Sequence, residues 1–208
     1  MDIRRDFYLE KLIKRKSNGL IKVITGIRRC GKSYLLNNIF YHHLLDSGVE
    51  ADHIIRFAFD SADDLYLIGE SLIQIEKEQR GVDPEKFMAY IRSKTTGEGI
   101  YYLLLDEIQM LDCFEAVLNG YLRKENIDVF VTGSNAKLLS KDIATEFAGR
   151  GDEIHMYPLS FAEFMSVYNG DKYTGLSEYM LYGGIPLVVL RDGAGDKATA
   201  LQNLFNEI

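Results

Sequence analysis

The order Gly26-Ile27-Arg28-Arg29-Cys30-Gly31-Lys32-Ser33 has the spacing G-x-x-x-x-G-K-S. That spacing suits the holding of a phosphate chain. Successive backbone N–H groups turned inward make an anion nest. Gly26 and Gly31 permit the dihedrals and the close approach that such a nest needs. A helix opening at Lys32 adds free N–H groups and a favourable dipole. Lys32 can reach the β- and γ-phosphates, and the Ser33 hydroxyl can bind Mg²⁺. The binding segment is drawn from Gly26 through Ile27, Arg28, Arg29, Cys30, Gly31, Lys32 and Ser33 to Tyr34.

A pair of acids stands farther along. Asp106-Glu107 ends the apolar run Tyr101-Tyr102-Leu103-Leu104-Leu105. A strand of that kind can deliver Asp106 to a metal ion held at Ser33. Glu107 can then polarise a water for attack on the γ-phosphate, a step that hydrolases use and small-molecule kinases do not need. The run Asp128-Val129-Phe130-Val131-Thr132 leads into Gly133-Ser134-Asn135. Asn135, or failing it Ser134, could orient the water or sense the γ-phosphate; both are also good N-caps for the next helix. Asp60 could orient Glu107, join the metal site, or cap a helix. Cys30 lies beside Arg29 and Lys32 at a helix start, surroundings that favour a thiolate; a small residue that merely fits is the other reading. Cys113 is expected on the face of an amphipathic helix. The four histidines show no metal-ligand spacing and receive no role.

These groups must be carried by a scaffold. Apolar runs at 20–25, 53–59, 100–105, 129–132 and 153–157 read as strands. Helical periodicity covers 3–16, 32–45, a polar stretch over 62–80, 84–94, 112–124, 136–147 and most of the last fifty residues. Strands alternating with helices predict a parallel sheet covered on both faces. Ligands of such sheets sit beyond the carboxyl ends of the strands, where both motifs fall.

Composition excludes several classes. The 208 residues are 47% hydrophobic and 26% charged, enough apolar surface to fold as one domain, or one plus an appendage. Two cysteines exclude a disulfide scaffold or a thiolate zinc site. The run 100–105 is too short to span a bilayer. The charged start Met1-Asp2-Ile3-Arg4-Arg5-Asp6 lacks the apolar stretch of a secretion signal, so a cytoplasmic location is expected. A net charge of −7 argues against bulk capture of nucleic acid. The first 33 residues nonetheless hold ten basic and three acidic side chains, an excess that suits an anion or a solvated helix.

Taken together, these residues resemble the AAA+ superfamily of ATPases. More narrowly, they are similar to a bacterial and archaeal family with an N-terminal AAA+-type ATP-binding domain and a C-terminal domain of unknown function. The resemblance rests on residues 23–33, on Leu105-Asp106-Glu107-Ile108-Gln109, and on Thr132-Gly133-Ser134-Asn135. It extends to Ala148-Gly149-Arg150, Pro158-Leu159-Ser160-Phe161-Ala162-Glu163-Phe164 and Tyr182-Gly183-Gly184-Ile185-Pro186.

The resemblance implies an α/β P-loop NTPase fold: a parallel five-stranded sheet in the order 5-1-4-3-2 between helices, with a partial C-terminal helical lid. It implies a core over 1–158 and a lid, or the start of the next domain, over 159–208. The family pattern runs on past residue 208, so an N-terminal piece of a longer protein is expected. ATP and Mg²⁺ are the implied cofactors. Hydrolysis would move an attached C-terminal domain or partner protein, with Gly183-Gly184 as a hinge. Arg150 is either an arginine finger reaching a neighbouring copy's nucleotide or an arginine facing a helix dipole. A homo-oligomer is compatible with this picture; membrane and nucleic-acid partners are not expected. Two other readings stand beside it. One is a slow nucleotide-gated switch; the other is a P-loop kinase, which would need a lid arginine, with Arg191 a weak candidate.

Overall fold

The structure, a computed structural model, describes residues 3–133 and 149–206. The apolar runs become β1 (Ile21–Thr25), β2 (Ile54–Ala58), β3 (Tyr101–Asp106), β4 (Ile127–Thr132) and β5 (Gly151–His155). Among the described residues these strands form one parallel sheet in the order β2-β3-β4-β1-β5, as expected. Inserting β4 between β1 and β3 sets Thr132 beside Ile24 and Val131 beside Leu105. The strand ends that carry chemistry therefore lie side by side.

Helix α1 (Asp6–Arg15) precedes β1. After the glycine-rich loop, α2 (Lys32–Tyr34) runs through a π-helical stretch, Leu35–Phe40, into α3 (Tyr41–Asp46). Helices α4 (Ala62–Leu67), α5 (Leu72–Glu78) and α6 (Pro84–Lys94) link β2 to β3, and α7 (Phe114–Tyr121) links β3 to β4. Past β5 come α8 (Phe161–Met165), α9 (Lys172–Tyr182), α10 (Pro186–Val189) and α11 (Ala194–Asn206).

The two-residue alternation of strand side chains divides the core. Ile21, Val23, Phe57, Leu103, Leu105 and Val131 pack under the helices between β2 and β4. Ile24, Leu104, Phe130 and Ile154 face α1 and the helix that follows the loop, meeting Leu12, Leu36 and Phe40. Lys22 interrupts this apolar pattern. It is fully buried, ion-paired to Asp128 on β4, and donates to the Leu20 carbonyl at 2.7 Å. Removing either partner would strand a buried charge, at a cost of about 3–5 kcal/mol.

Two local expectations are corrected. The stretch 62–80 is two helices, broken at Gly69, whose φ of +69° ends α4. The break turns Glu70 inward, where Arg80 at 2.6 Å and Lys86 at 2.7 Å hold its carboxylate. Cys113 is not on a helix face. It is the exposed residue preceding α7, with φ +52°. The expected helix over 136–147 lies outside the described residues. Among the described residues, no helix is long and apolar enough to cross a membrane.

Candidate functional site

The loop leaves β1 at Thr25 and is shaped by close packing. Gly26 has φ +140°, and a Cβ there would stand 2.2 Å from the Met156 carbonyl oxygen. Only glycine lets the loop pass so near the chain leaving β5. Arg29 at φ +63° and Gly31 at φ +99° are left-handed as well. Reversals of this kind are the conformations from which successive N–H groups can form an anion nest. Gly31 is also the residue from which α2 starts.

Lys32 is 4% exposed, and its ammonium donates to the carbonyls of Gly26 and Ile27, each at 2.9 Å. The cation is thus held inside the loop. Ile27, Arg28, Arg29, Ser33 and Tyr34 are exposed around it, whereas Cys30 is buried.

Asp106 ends β3 and is 5% exposed. One carboxylate oxygen accepts from the Thr132 hydroxyl, and the other accepts from Asn37 Nδ2 at 3.2 Å. Burial pushes the Asp106 carboxyl above its usual range. Hydrogen bonds from Thr132 and Ser33 oppose that rise, and the charges of Glu107 and Asp60 add to it. Burial, and then Glu107 and Asp64, raise Asp60 as well. The next helix is capped by Ser61 rather than Asp60. Carboxylates gathered beside a serine hydroxyl are the hard oxygen donors that suit a divalent cation.

Glu107 adopts φ +53°, a left-handed conformation that costs a non-glycine residue energy. Its N–H donates to Thr132 Oγ1 at 3.2 Å, and its carboxylate accepts from the Gln109 amide. Glu107 and Asp106 are therefore both held by Thr132.

The structure brings the loop, Ser33, Asp106 and Glu107 together at the carboxyl ends of β1 and β3. Asn135, the expected sensor, and its alternative Ser134 lie outside the described residues. Arg150 sits at the opposite end of the sheet, where its carbonyl accepts from Ile21 N–H at 2.9 Å and its guanidinium donates to Asn119 at 3.1 Å. β5 extends about 17 Å from there toward the end of the sheet that carries the loop.

At Cys30 the structure supports the small residue that fits and corrects the thiolate reading. Its thiol is fully buried and lies 3.6 Å from the Met156 carbonyl. Burial raises its pKa, outweighing Lys32 and Arg5, which pull it down. At Gly184, in the segment expected to act as a hinge, the backbone packs closely. A Cβ on Gly184 would meet the Leu159 carbonyl oxygen at 2.1 Å, and the Gly184 carbonyl accepts from Leu159 N–H at 2.6 Å.

Three contributors escaped the sequence reading. Asn37 lies one helical turn past Ser33, a spacing that could have flagged it. Thr132 stood in a quoted motif without a role. Arg5 reaches the loop from the N-terminal segment, and nothing local in the sequence signals that. Glu50, Asp52 and His53 also gather ligand atoms within 4.8 Å, on the exposed turn before β2.

An apolar cavity of about 410 Å³ opens beside the loop, lined by Ile3, Tyr34, Met156, Pro186, Leu187 and Leu190. Two larger grooves, about 660 and 870 Å³, run along the outer edge of β2 and between α1 and α8, away from the loop.

Residues 18–165 match a family model described as an AAA domain. An uncharacterised protein of Haemophilus influenzae is 37% identical over 213 residues, covering 99% of this chain and 49% of that protein. An uncharacterised protein of Methanocaldococcus jannaschii is 31% identical, over 99% of this chain and 43% of its own length. The chain thus spans about half the length of the curated relatives it matches. Among solved structures, the S. cerevisiae Hsp104–ADP complex aligns with a TM-score of 0.54 at 18% identity, over 88% of this chain and 26% of that one. That likeness concerns the fold.

Proposed function

The chain belongs to the AAA domain family, and from that premise we propose that it binds ATP with Mg²⁺ and hydrolyses it. The observation that carries this reading is the convergence of Lys32 and Ser33 with a buried Asp106 that Thr132, Asn37 and Ser33 all hold.

In this reading the N–H groups of residues 26–33 grip the phosphate chain, and Lys32 exchanges two carbonyls for phosphate oxygens. The apolar cavity beside Tyr34 is large enough to take the nucleobase. Ser33 and Asp106 hold the metal, and Asp60 adds charge nearby. When bound, Mg²⁺ supplies neutralisation of the charge that develops on the transferring phosphate. Glu107 takes up the proton of the attacking water, with Asn135 as the proposed sensor and Arg150 as a contributor to a neighbouring copy. Residues 1–158 serve as the core and 159–208 as a lid, or the start of a further domain, that the cycle moves. A cytoplasmic setting and a protein partner or attached domain complete the proposal.

One observation favours a second reading, a slow nucleotide-gated switch. The Glu107 carboxylate is already engaged by the Gln109 amide, which would hinder water activation. Phosphate release under saturating Mg²⁺-ATP separates the two. ATPase action predicts steady turnover that Glu107→Gln lowers by about 100-fold or more while nucleotide affinity persists. Turnover unchanged by Glu107→Gln would remove that residue from the mechanism.

A further inference from the structure

Arg5 is 3% exposed, although it belongs to the N-terminal segment before α1. Its guanidinium touches three separate parts of the chain. Nη1 donates to the Cys30 carbonyl inside the loop at 3.3 Å. Nη2 donates to the Tyr157 carbonyl, just past β5, at 2.7 Å. Nε stands 3.1 Å from Glu163 Oε1 as an ion pair, off the line of a hydrogen bond. The group also lies 4.7 Å over the Tyr8 ring, and the Tyr8 hydroxyl accepts from Tyr157 N–H at 3.1 Å. The rigid planar fork of arginine can serve several acceptors at once, as a lysine cannot.

Glu163 is itself committed to a helix start. Its other oxygen accepts from Ser160 N–H at 2.8 Å and Ser160 Oγ at 2.9 Å, completing the capping box of α8. The adjoining Leu159 is tied to the C-terminal helices. Its N–H donates to Gly184 at 2.6 Å, and its carbonyl accepts from the Tyr179 hydroxyl at 2.7 Å.

We infer that Arg5 is a positioning residue that relays phosphate occupancy of the loop to α8 through Glu163. This inference rests on the nucleotide-binding reading above. Its physical basis is the planarity of one peptide. The Cys30 carbonyl and the Gly31 N–H belong to the same rigid unit. An anion drawing the Gly31 N–H turns that unit and moves the Cys30 oxygen against the guanidinium. The guanidinium is buried and charged, so it keeps its acceptors by shifting with them, and Glu163 carries the shift to the capping box. From there Leu159 passes it to Gly184 and Tyr179.

Amide hydrogen exchange on the full 208-residue chain tests this, with the non-hydrolysable triphosphate AMP-PNP and Mg²⁺ as the probe. Wild type should show exchange across 161–167 slowed about fivefold or more by the nucleotide. Glu163→Gln keeps the capping box, because glutamine serves at that position, and removes the charge. It should bind the nucleotide within about threefold of wild type, with the slowing reduced below about twofold. Arg5→Lys should lose the slowing as well; if it fails to fold, Glu163→Gln alone decides. A purely structural clamp would lower stability yet leave the response intact, and a retained response in Glu163→Gln overturns the inference. Nucleotide binding by wild type without any change over 161–167 overturns it too. Calorimetry on the same sample identifies the separate case in which wild type takes up no nucleotide, and there the functional reading itself fails.

Discussion

The Thr132 hydroxyl donates to the Asp106 carboxylate, and the same oxygen accepts the Glu107 N–H at 3.2 Å. One side chain at the end of β4 thereby fixes both acids at the end of β3. The arrangement exists because β4 lies between β1 and β3 in register.

Thr132→Val keeps the shape and removes the hydroxyl. The buried Asp106 oxygen then loses a donor, so urea denaturation should show a loss of about 1–3 kcal/mol, largely restored in Thr132→Ser. A valine variant as stable as wild type would contradict the role given to this hydroxyl.

Asp106 also predicts a pH dependence. Burial places its folded pKa above the unfolded value. The native state therefore binds more protons than the unfolded chain between the two values, and stability falls as pH rises through them. Asp106→Asn abolishes that fall. Without nucleotide, the variant should melt above wild type at about pH 8, with the gap closing toward about pH 4. A variant that melts below wild type at the higher pH would show that the carboxylate is stabilising where it stands.

The two thiols should react very differently. Cys113 is exposed, whereas Cys30 is buried with a raised pKa. The native protein should take up one equivalent of an alkylating reagent quickly. The second should follow about 100-fold more slowly or worse, limited by local opening. Two rapidly labelled thiols would place Cys30 nearer the surface than the packing against Met156 allows.

The loop, the acid pair and the alternation of strands with helices were legible in the sequence because each depends on short-range spacing or on the pattern of apolar runs; the sheet order was legible only through the resemblance to AAA+ ATPases. Thr132 and Arg5 were not, since their roles arise only where register and tertiary closure bring distant residues together; Asn37 offered only its one-turn spacing from Ser33. Cys30 bears out the reading of a small residue that fits and not that of a thiolate, for a related reason. Its charged neighbours are visible along the chain, but the burial that outweighs them comes from Met156 and from contacts beyond the motif. Lys22 likewise finds its partner only in the folded chain, where the pairing of β1 with β4 brings Asp128 to it. The polar stretch 62–80 read as one helix because a single internal glycine does not by itself forecast a break; the paired Glu70 is what fixes it there.

The most direct test is calorimetric titration of Mg²⁺-ATP into wild type and into Lys32→Ala, with folding of both checked by circular dichroism. The account predicts uptake by wild type near one equivalent, and affinity at least about 100-fold weaker in the variant. A folded wild type that binds no ATP, or a variant that binds it equally well, would contradict the claim that residues 26–33 grip a triphosphate.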